Sequence, residues 1–224
     1  MQKTIRQYCL SLVLLFSCSI CAQAQHPDSA YIKTINERAE KIVKKVGIPN
    51  QSKSGKVQHI VAQQYFDLND IDTRRDTEIK TLKSENLGKT ILQDSIKAIR
   101  LRADEQTAAL HTAYIAKLQS MLTSAQVDAV KDGMTYGVLK LTYNAYLQML
   151  PNLTKEQKGQ IMAWLVEARE HAIDGGTSKE KHAWFGKYKG RINNYLAKAG
   201  IDMKAAEKAW MERNKAAQTG TSSK

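Results

Sequence analysis

Proline occupies only three of 224 positions, Pro27, Pro49 and Pro151, and this scarcity constrains the fold more than any other feature. Inside a helix proline removes a hydrogen bond and clashes with the preceding turn, so the long intervals without it admit long helices. The apolar and polar alternation that half-buried strands need is nearly absent from those intervals. The expectation is an all-α chain in which each proline marks a helix start or stop.

Apolar spacing supplies the elements. Ile32, Ile35, Ala39, Ile42, Val43 and Val46 share one face of a helix over 28–46 that Gly47-Ile48-Pro49 ends. A polar loop is expected at 51–55, then two long helices, 56–85 and 89–121, separated at Asn86-Leu87-Gly88 with Gly88 in a left-handed cap. In the second, Leu92, Ile96, Ile99, Ala103, Gln106, Leu110, Ala113 and Leu118 step mostly by three and four, the period of an antiparallel helical hairpin. Leu122-Thr123-Ser124-Ala125-Gln126 is echoed by Leu153-Thr154-Lys155-Glu156-Gln157. Each Thr-x-x-Gln is a capping box, so helices start at Thr123 and Thr154, with Val127 placed to staple against Leu122. Further helices are expected over 154–173 and 179–199, and Asp202 caps a terminal helix carrying Met203, Ala206 and Trp210. The domains expected are an N-terminal helix with the long hairpin, 25–122, a compact C-terminal helical domain, 123–217, and a disordered tail, 218–224.

Residues 1–24 read as a signal peptide. Lys3 and Arg6 precede an apolar run from Tyr8 to Ile20 that is too short to span a bilayer, and Ala22-Gln23-Ala24 places small residues before a cut at Gln25. The rival is lipidation at Cys18, which would anchor the mature form to a membrane, although the bulky Phe16 suits that signal poorly. Cys9, Cys18 and Cys21 all lie in the removed segment, so a chain cut at Ala24 has no thiol. Disulfides, thiol catalysis and cysteine zinc sites are then excluded, and the fold rests on burial alone. The periplasm is the expected compartment. Losing Lys3 and Arg6 lowers the formal charge from +12 to +10. A basic exported protein attracts polyanions, which outside the cytoplasm include acidic polysaccharides, anionic lipids and unfolded acidic chains; nucleic acid is a weaker candidate there and is not an expected partner.

No phosphate-binding glycine loop, His-Glu-x-x-His or nucleophile elbow is present, and no cofactor or metal is expected. Chemistry-bearing residues concentrate between His171 and Tyr195. On a helical wheel Phe185, Tyr188, Ile192 and Leu196 make the apolar face, Trp184 and Arg191 flank it on one side, and His182, Lys189 and Asn193 form a stripe on the other. Planar rings beside Arg, Lys and Asn suit a sugar acid, whose C–H face stacks while its carboxylate and hydroxyls take the donors. The candidate ligand-binding residues are therefore His182, Trp184, Lys189, Arg191 and Asn193, with Tyr143 and Tyr146 as a second wall. The competing reading makes the aromatics core anchors and lets Gly186 and Gly190 serve close helix packing. A lyase reading would use His171 or His182 as base with Lys181, Tyr188 or Arg191. A metal held by His171, Asp174 and His182 is weaker, because the Gly175-Gly176 loop leaves their approach open.

Leu150-Pro151-Asn152-Leu153-Thr154, Trp164 to Ala172, and above all Lys179 to Leu196 resemble a family of secreted proteins of unknown function, encoded in polysaccharide-degrading Gram-negative bacteria and often beside pectin-active enzymes. The resemblance implies an exported, helical, sugar-binding protein and supplies no catalytic residues. The two Leu-Thr-x-x-Gln motifs are also similar to those of periplasmic stress chaperones of the helical-cradle type, and Asp28-Ser29-Ala30 and Asp94-Ser95-Ile96 resemble a bacterial O-glycosylation signal. Three functions stay open: an accessory protein binding an acidic, pectin-like glycan fragment, a helical chaperone or structural partner, and a polysaccharide lyase or hydrolase. Binding without catalysis leads, and the hairpin offers a surface for a second copy.

Overall fold

The computed structural model describes residues 28–221, so the signal peptide, its cut before Gln25, Cys18 and the last three residues of the tail lie outside the described residues. Among the described residues the chain is all-α: α1 Ser29–Val46, α2 Gln51–Ser84, α3 Lys89–Gln119, α4 Ser124–Met134, α5 Val138–Met149, α6 Lys155–Ile173, α7 Ser178–Lys198 and α8 Met203–Thr221. None of these helices is long and apolar enough to cross a membrane.

The helix starts follow the local chemistry. Thr123 and Thr154 each form the expected capping box with Gln126 and Gln157, and Thr177 forms a third with Glu180. Asp202 accepts from the backbone N–H groups of Lys204 and Ala205, as expected. Four expectations change. Residues 51–55 are the first turn of α2 and not a loop, because the Asn50 side chain accepts from the Lys53 N–H at 2.8 Å and starts the helix there. Gly88 is the extended N-cap of α3 (φ −60°, ψ 145°), so no left-handed cap is needed. In α3 the buried seam passes through Ala103, Tyr114 and Leu118 and leaves Gln106 and Ala113 exposed, since a true helical period drifts off a strict three-four alternation. Helix α8 continues through Thr221, past the point at 218 where order was expected to stop.

Two hydrophobic clusters hold the molecule. The first joins α1, the proximal parts of α2 and α3, and α4, through residues such as Ile42, Val57, Val61, Leu118 and Val130. The second joins α5, α6 and α7 through Leu139, Ile161, Leu165, Phe185, Ile192 and Leu196, with Met203 and Ala206 of α8 packed on it. Helix α6 connects them: Ile161 to Ala172 lie in the second cluster and Ile173 in the first.

Polar groups brace this joint. Arg169 of α6, only 5% exposed, reaches Asp128 at 2.5 Å and Asp132 at 2.8 Å on α4, and Lys131 pairs with Glu170 at 2.6 Å. Lys181, 1% exposed, donates to the Ala172 and Ile173 carbonyls at 3.1 and 3.0 Å and lies 5.6 Å from the centre of the Tyr65 ring. It thereby satisfies backbone carbonyls that the end of α6 leaves open. Burial pushes its pKa down to about 8. Beside it, Asp174 Oδ2 sits 2.8 Å from His111 Nδ1, a bond that raises the imidazole pKa. The α6–α7 loop seats against α2 at Gly176, where any Cβ would run into the Asp72 carboxylate.

Helix α2 has 34 residues and spans about 50 Å. Its far half and the facing half of α3 form an arm in which, between residues 73 and 110, only Ile79 and Ala103 are buried.

Candidate functional site: two flanks of helix α7

The capping box at Thr177 and Glu180 sets the phase of α7, with Thr177 N–H to Glu180 Oε2 at 2.9 Å and Glu180 N–H to Thr177 Oγ1 at 3.2 Å. In that phase Phe185, Tyr188, Ile192 and Leu196 turn into the second cluster, as the wheel indicates. The residues beside this face divide between two neighbours.

On the flank toward α6 the rings form a ladder. His171 stacks on Trp184 with centroids 4.4 Å apart and planes at 17°, and lies 6.2 Å from Tyr188. The Arg191 guanidinium lies 4.5 Å from the Trp164 ring centre and 6.0 Å from that of Tyr188, while Trp164 meets Tyr195 edge-on at 5.3 Å. Lys187 Nζ sits 4.9 Å from the Trp184 ring. Both tryptophans are half-buried, so the ladder belongs to the core on one side and to the surface on the other. Cations laid on such rings gain about 0.5–2 kcal/mol, more as the pair loses water. Glu167 meets Arg191 at 3.4 Å, and with both side chains about half exposed this pair contributes under about 1 kcal/mol. Arg191 is thus oriented by Trp164 while most of its N–H groups stay open to a carboxylate.

On the flank toward α5 the groups are largely spent on one another. Tyr146 is buried, and its hydroxyl donates to Asn193 Oδ1 at 2.6 Å. Burial pushes the Tyr146 pKa up to about 12, so it acts as a neutral donor. Tyr143 is half-buried against the second cluster, and Lys189 is exposed. His182 is exposed, its Nδ1 is 2.7 Å from the Ser178 carbonyl, and its ring stacks on Tyr136 at 5.7 Å. Tyr136 has φ 58°, an uncommon conformation for a non-glycine residue; with Gly137 at φ 69° it ends α4, and the Gly137 N–H closes onto the Asp132 carbonyl at 2.8 Å.

The seven sequence candidates therefore do not line one cleft. Trp184 and Arg191 face α6, while His182, Lys189 and Asn193, with Tyr143 and Tyr146, lie toward α5. The reason is angular: at about 100° per residue, Asn193 is roughly 180° around α7 from Trp184. The residues that complete the α6 flank, Trp164, Glu167 and His171, recur at spacings of three and four on α6, so the same helical arithmetic would have grouped them once α6 was known to pair with α7. Gly186 and Gly190 serve no close packing: a Cβ at either would meet nothing within 4 Å. His171, Asp174 and His182 do not converge on a metal, because His171 is held by Trp184, Asp174 by His111 and His182 by Ser178 and Tyr136.

A family model described as a protein of unknown function, DUF3826, matches residues 32–216, which takes in the ladder and both clusters. No curated protein matches the chain.

Proposed function

The chain belongs to the DUF3826 family, and from that premise we propose that it is an exported accessory protein that binds an acidic glycan fragment on the α6–α7 ladder. The observation that carries this reading is the pair of half-buried tryptophans, each with a cation against its ring: Arg191 at Trp164 and Lys187 at Trp184. A ring takes the C–H face of a sugar, a guanidinium takes a carboxylate through two parallel hydrogen bonds, and Glu167 accepts from a hydroxyl. Charge supports the same ligand. Between residues 179 and 215 ten Lys and Arg stand against four Asp and Glu, a local excess that draws polyanions toward α7 and α8. Export by the residue 1–24 signal and residence in the periplasm are part of the proposal, and N-terminal sequencing of the processed protein should begin at Gln25.

Titration of the mature chain with oligogalacturonides, followed by tryptophan fluorescence, tests the binding. Quenching in low salt that weakens as salt rises is expected, and absence of any response in low salt overturns the proposal. The arm motivates a second reading, a helical chaperone or structural partner, because Ile91 and Leu101 are 60% and 57% exposed on α3. That reading predicts suppressed aggregation of an unfolded client, unchanged by Arg191→Ala. The lyase or hydrolase alternative predicts new ultraviolet absorbance or reducing ends when pectic polymers are incubated with pure protein.

A further inference from the structure

An opening among the described residues lies away from the ladder's centre, along the arm where it faces the first turn of α7. It has a volume of about 560 Å³ and is lined by Arg75, Lys80, Lys83, Arg100, Asp104 and Glu180, together with Asp76 and a floor at Ile79. That volume lies in the range of small-molecule sites.

Its parts differ in how firmly they are held. Arg75 is pinned between Asp72 at 2.5 Å and Asp76 at 2.8 Å, and Asp72 is itself lodged against Gly176 of the α6–α7 loop. The base of the opening is therefore fixed to both helix pairs. Lys80 and Lys83 on α2 have no ion-pair partner among the described residues, and Arg100 on α3 faces Asp76, a carboxylate Arg75 already holds. Lys80, Lys83 and Arg100 thus reach one space from two helices, with Asp76, Asp104 and Glu180 beside them, and none of the three is held in a close ion pair among the described residues. Asp104 of α3 and Glu180 of α7 also line the opening and would repel a bare inorganic anion, yet each carboxylate has acceptor capacity for hydroxyl groups beyond the Thr177 N–H that Glu180 already takes. A ligand that carries carboxylates and hydroxyls together satisfies both sets, and a sugar acid is such a ligand.

Position ties the opening to the ladder. Glu180, Trp184, Lys187, Arg191 and Tyr195 follow one another at steps of three and four along one face of α7, so the residue that lines the opening and the residues of the ladder share one side of the helix. From residue 180 to residue 195 this track is about 22 Å long, which suits a polymer segment more than a single sugar.

We infer that the opening between α2, α3 and the start of α7 is a second subsite for an acidic glycan, holding a sugar carboxylate on Lys80, Lys83 and Arg100 and sugar hydroxyls on Asp104 and Glu180. The inference rests on the glycan reading of the ladder and extends it: the ligand is an oligomer that spans both surfaces.

Calorimetric titration of the mature protein with a short and a long oligogalacturonide separates the two claims. Wild type should bind the long oligomer more tightly. Lys80→Gln combined with Lys83→Gln should weaken the long oligomer about tenfold, the loss expected for charged hydrogen bonds, and leave the short one unchanged. Trp164→Ala should weaken both. Lys44→Gln with Lys45→Gln, exposed at the far end of α1, removes equal charge elsewhere and should do neither. The subsite is overturned, with the ladder intact, if wild type binds both oligomers equally, if the arm variant binds the long oligomer as wild type does, or if the α1 control weakens it as much as the arm variant. No binding of either oligomer to wild type overturns both. The substituted lysines are exposed, and an unchanged helical circular dichroism signal confirms that each variant is folded.

Discussion

Helices α2 and α3 on one side, α6 and α7 on the other, are both packed helix pairs with charged exteriors, but they are held together differently. The far half of the first buries Ile79 and Ala103 and little else. The second buries Ile161, Leu165, Ala168, Ala172, Phe185, Tyr188, Ile192 and Leu196 at 5% exposure or less. The difference is a further layer. Helix α5 covers the α6–α7 pair and α4 is bolted to it through Arg169, whereas the arm projects past the last contacts of α1. Two helices alone cannot enclose a core, so the arm relies on surface pairs such as Arg102 with Glu78, and its shape is set by helix continuity more than by packing.

The strongest way to break the comparison is in the joint beneath α7. Arg169→Ala leaves Asp132 in a largely buried position without its main partner and should cost about 3–5 kcal/mol in denaturant unfolding. Leu165→Ala, at a fully buried site, should cost about 2–5 kcal/mol, while Ile79→Ala in the arm should stay at or below about 2 kcal/mol because its neighbours can close over the gap. Equal losses at the two sites would show that the arm is packed as tightly as the α6–α7 pair.

A smaller effect sharpens the comparison through pH. The Lys181 pKa falls on folding, so between about pH 8 and its ordinary value near 10.5 the unfolded chain binds the proton more often than the native one, and stability rises with pH across that window. Plotting the stability difference between wild type and Lys181→Met removes the titration of the tyrosines. The difference should shift toward wild type between pH 8 and 10.5 and be flat below it. In the arm, the hydrogen bond from Arg75 holds Asp76 below its ordinary carboxylate pKa. Its contribution is present above pH 3.8 and is lost as pH falls through the lower folded value, so Asp76→Asn should matter in neutral solution and not in strong acid.

The smallest expected effect has the opposite sign. Gly190→Ala places a methyl group in open space on a helical residue and should raise stability by about 0.5–1 kcal/mol in a thermal melt. Destabilisation would reveal a close approach to α7 that the monomer does not contain.

Much of this architecture is legible in the residues. The boxes at Thr123 and Thr154 mark helix starts because a side-chain oxygen and a neighbouring N–H need only three residues between them, and the buried stripe of α7 follows from its spacing alone. The Asn50 start was obscured by Gln51-Ser52-Lys53-Ser54-Gly55, whose composition reads as loop although one hydrogen bond begins a helix there. The third box, at Thr177 and Glu180, carries the same signal with glutamate in place of glutamine. The site was legible only in part. Trp184 and Arg191 stood out, but Trp164 and His171 join them through the pairing of two helices, and Lys181, which looks like a surface cation, is one of the most buried side chains.

The sequence by itself determined the all-α class, the helix starts at Thr123 and Thr154 and the buried face of α7, because caps and apolar period act over a few neighbouring residues. The tertiary structure decided which flank of α7 meets α6 and which meets α5, that Tyr146 and Asn193 bond to each other, and that the arm opens beside Glu180. Those outcomes depend on groups far apart in the chain meeting across helix interfaces, where the angle around a helix decides which side chains share a surface.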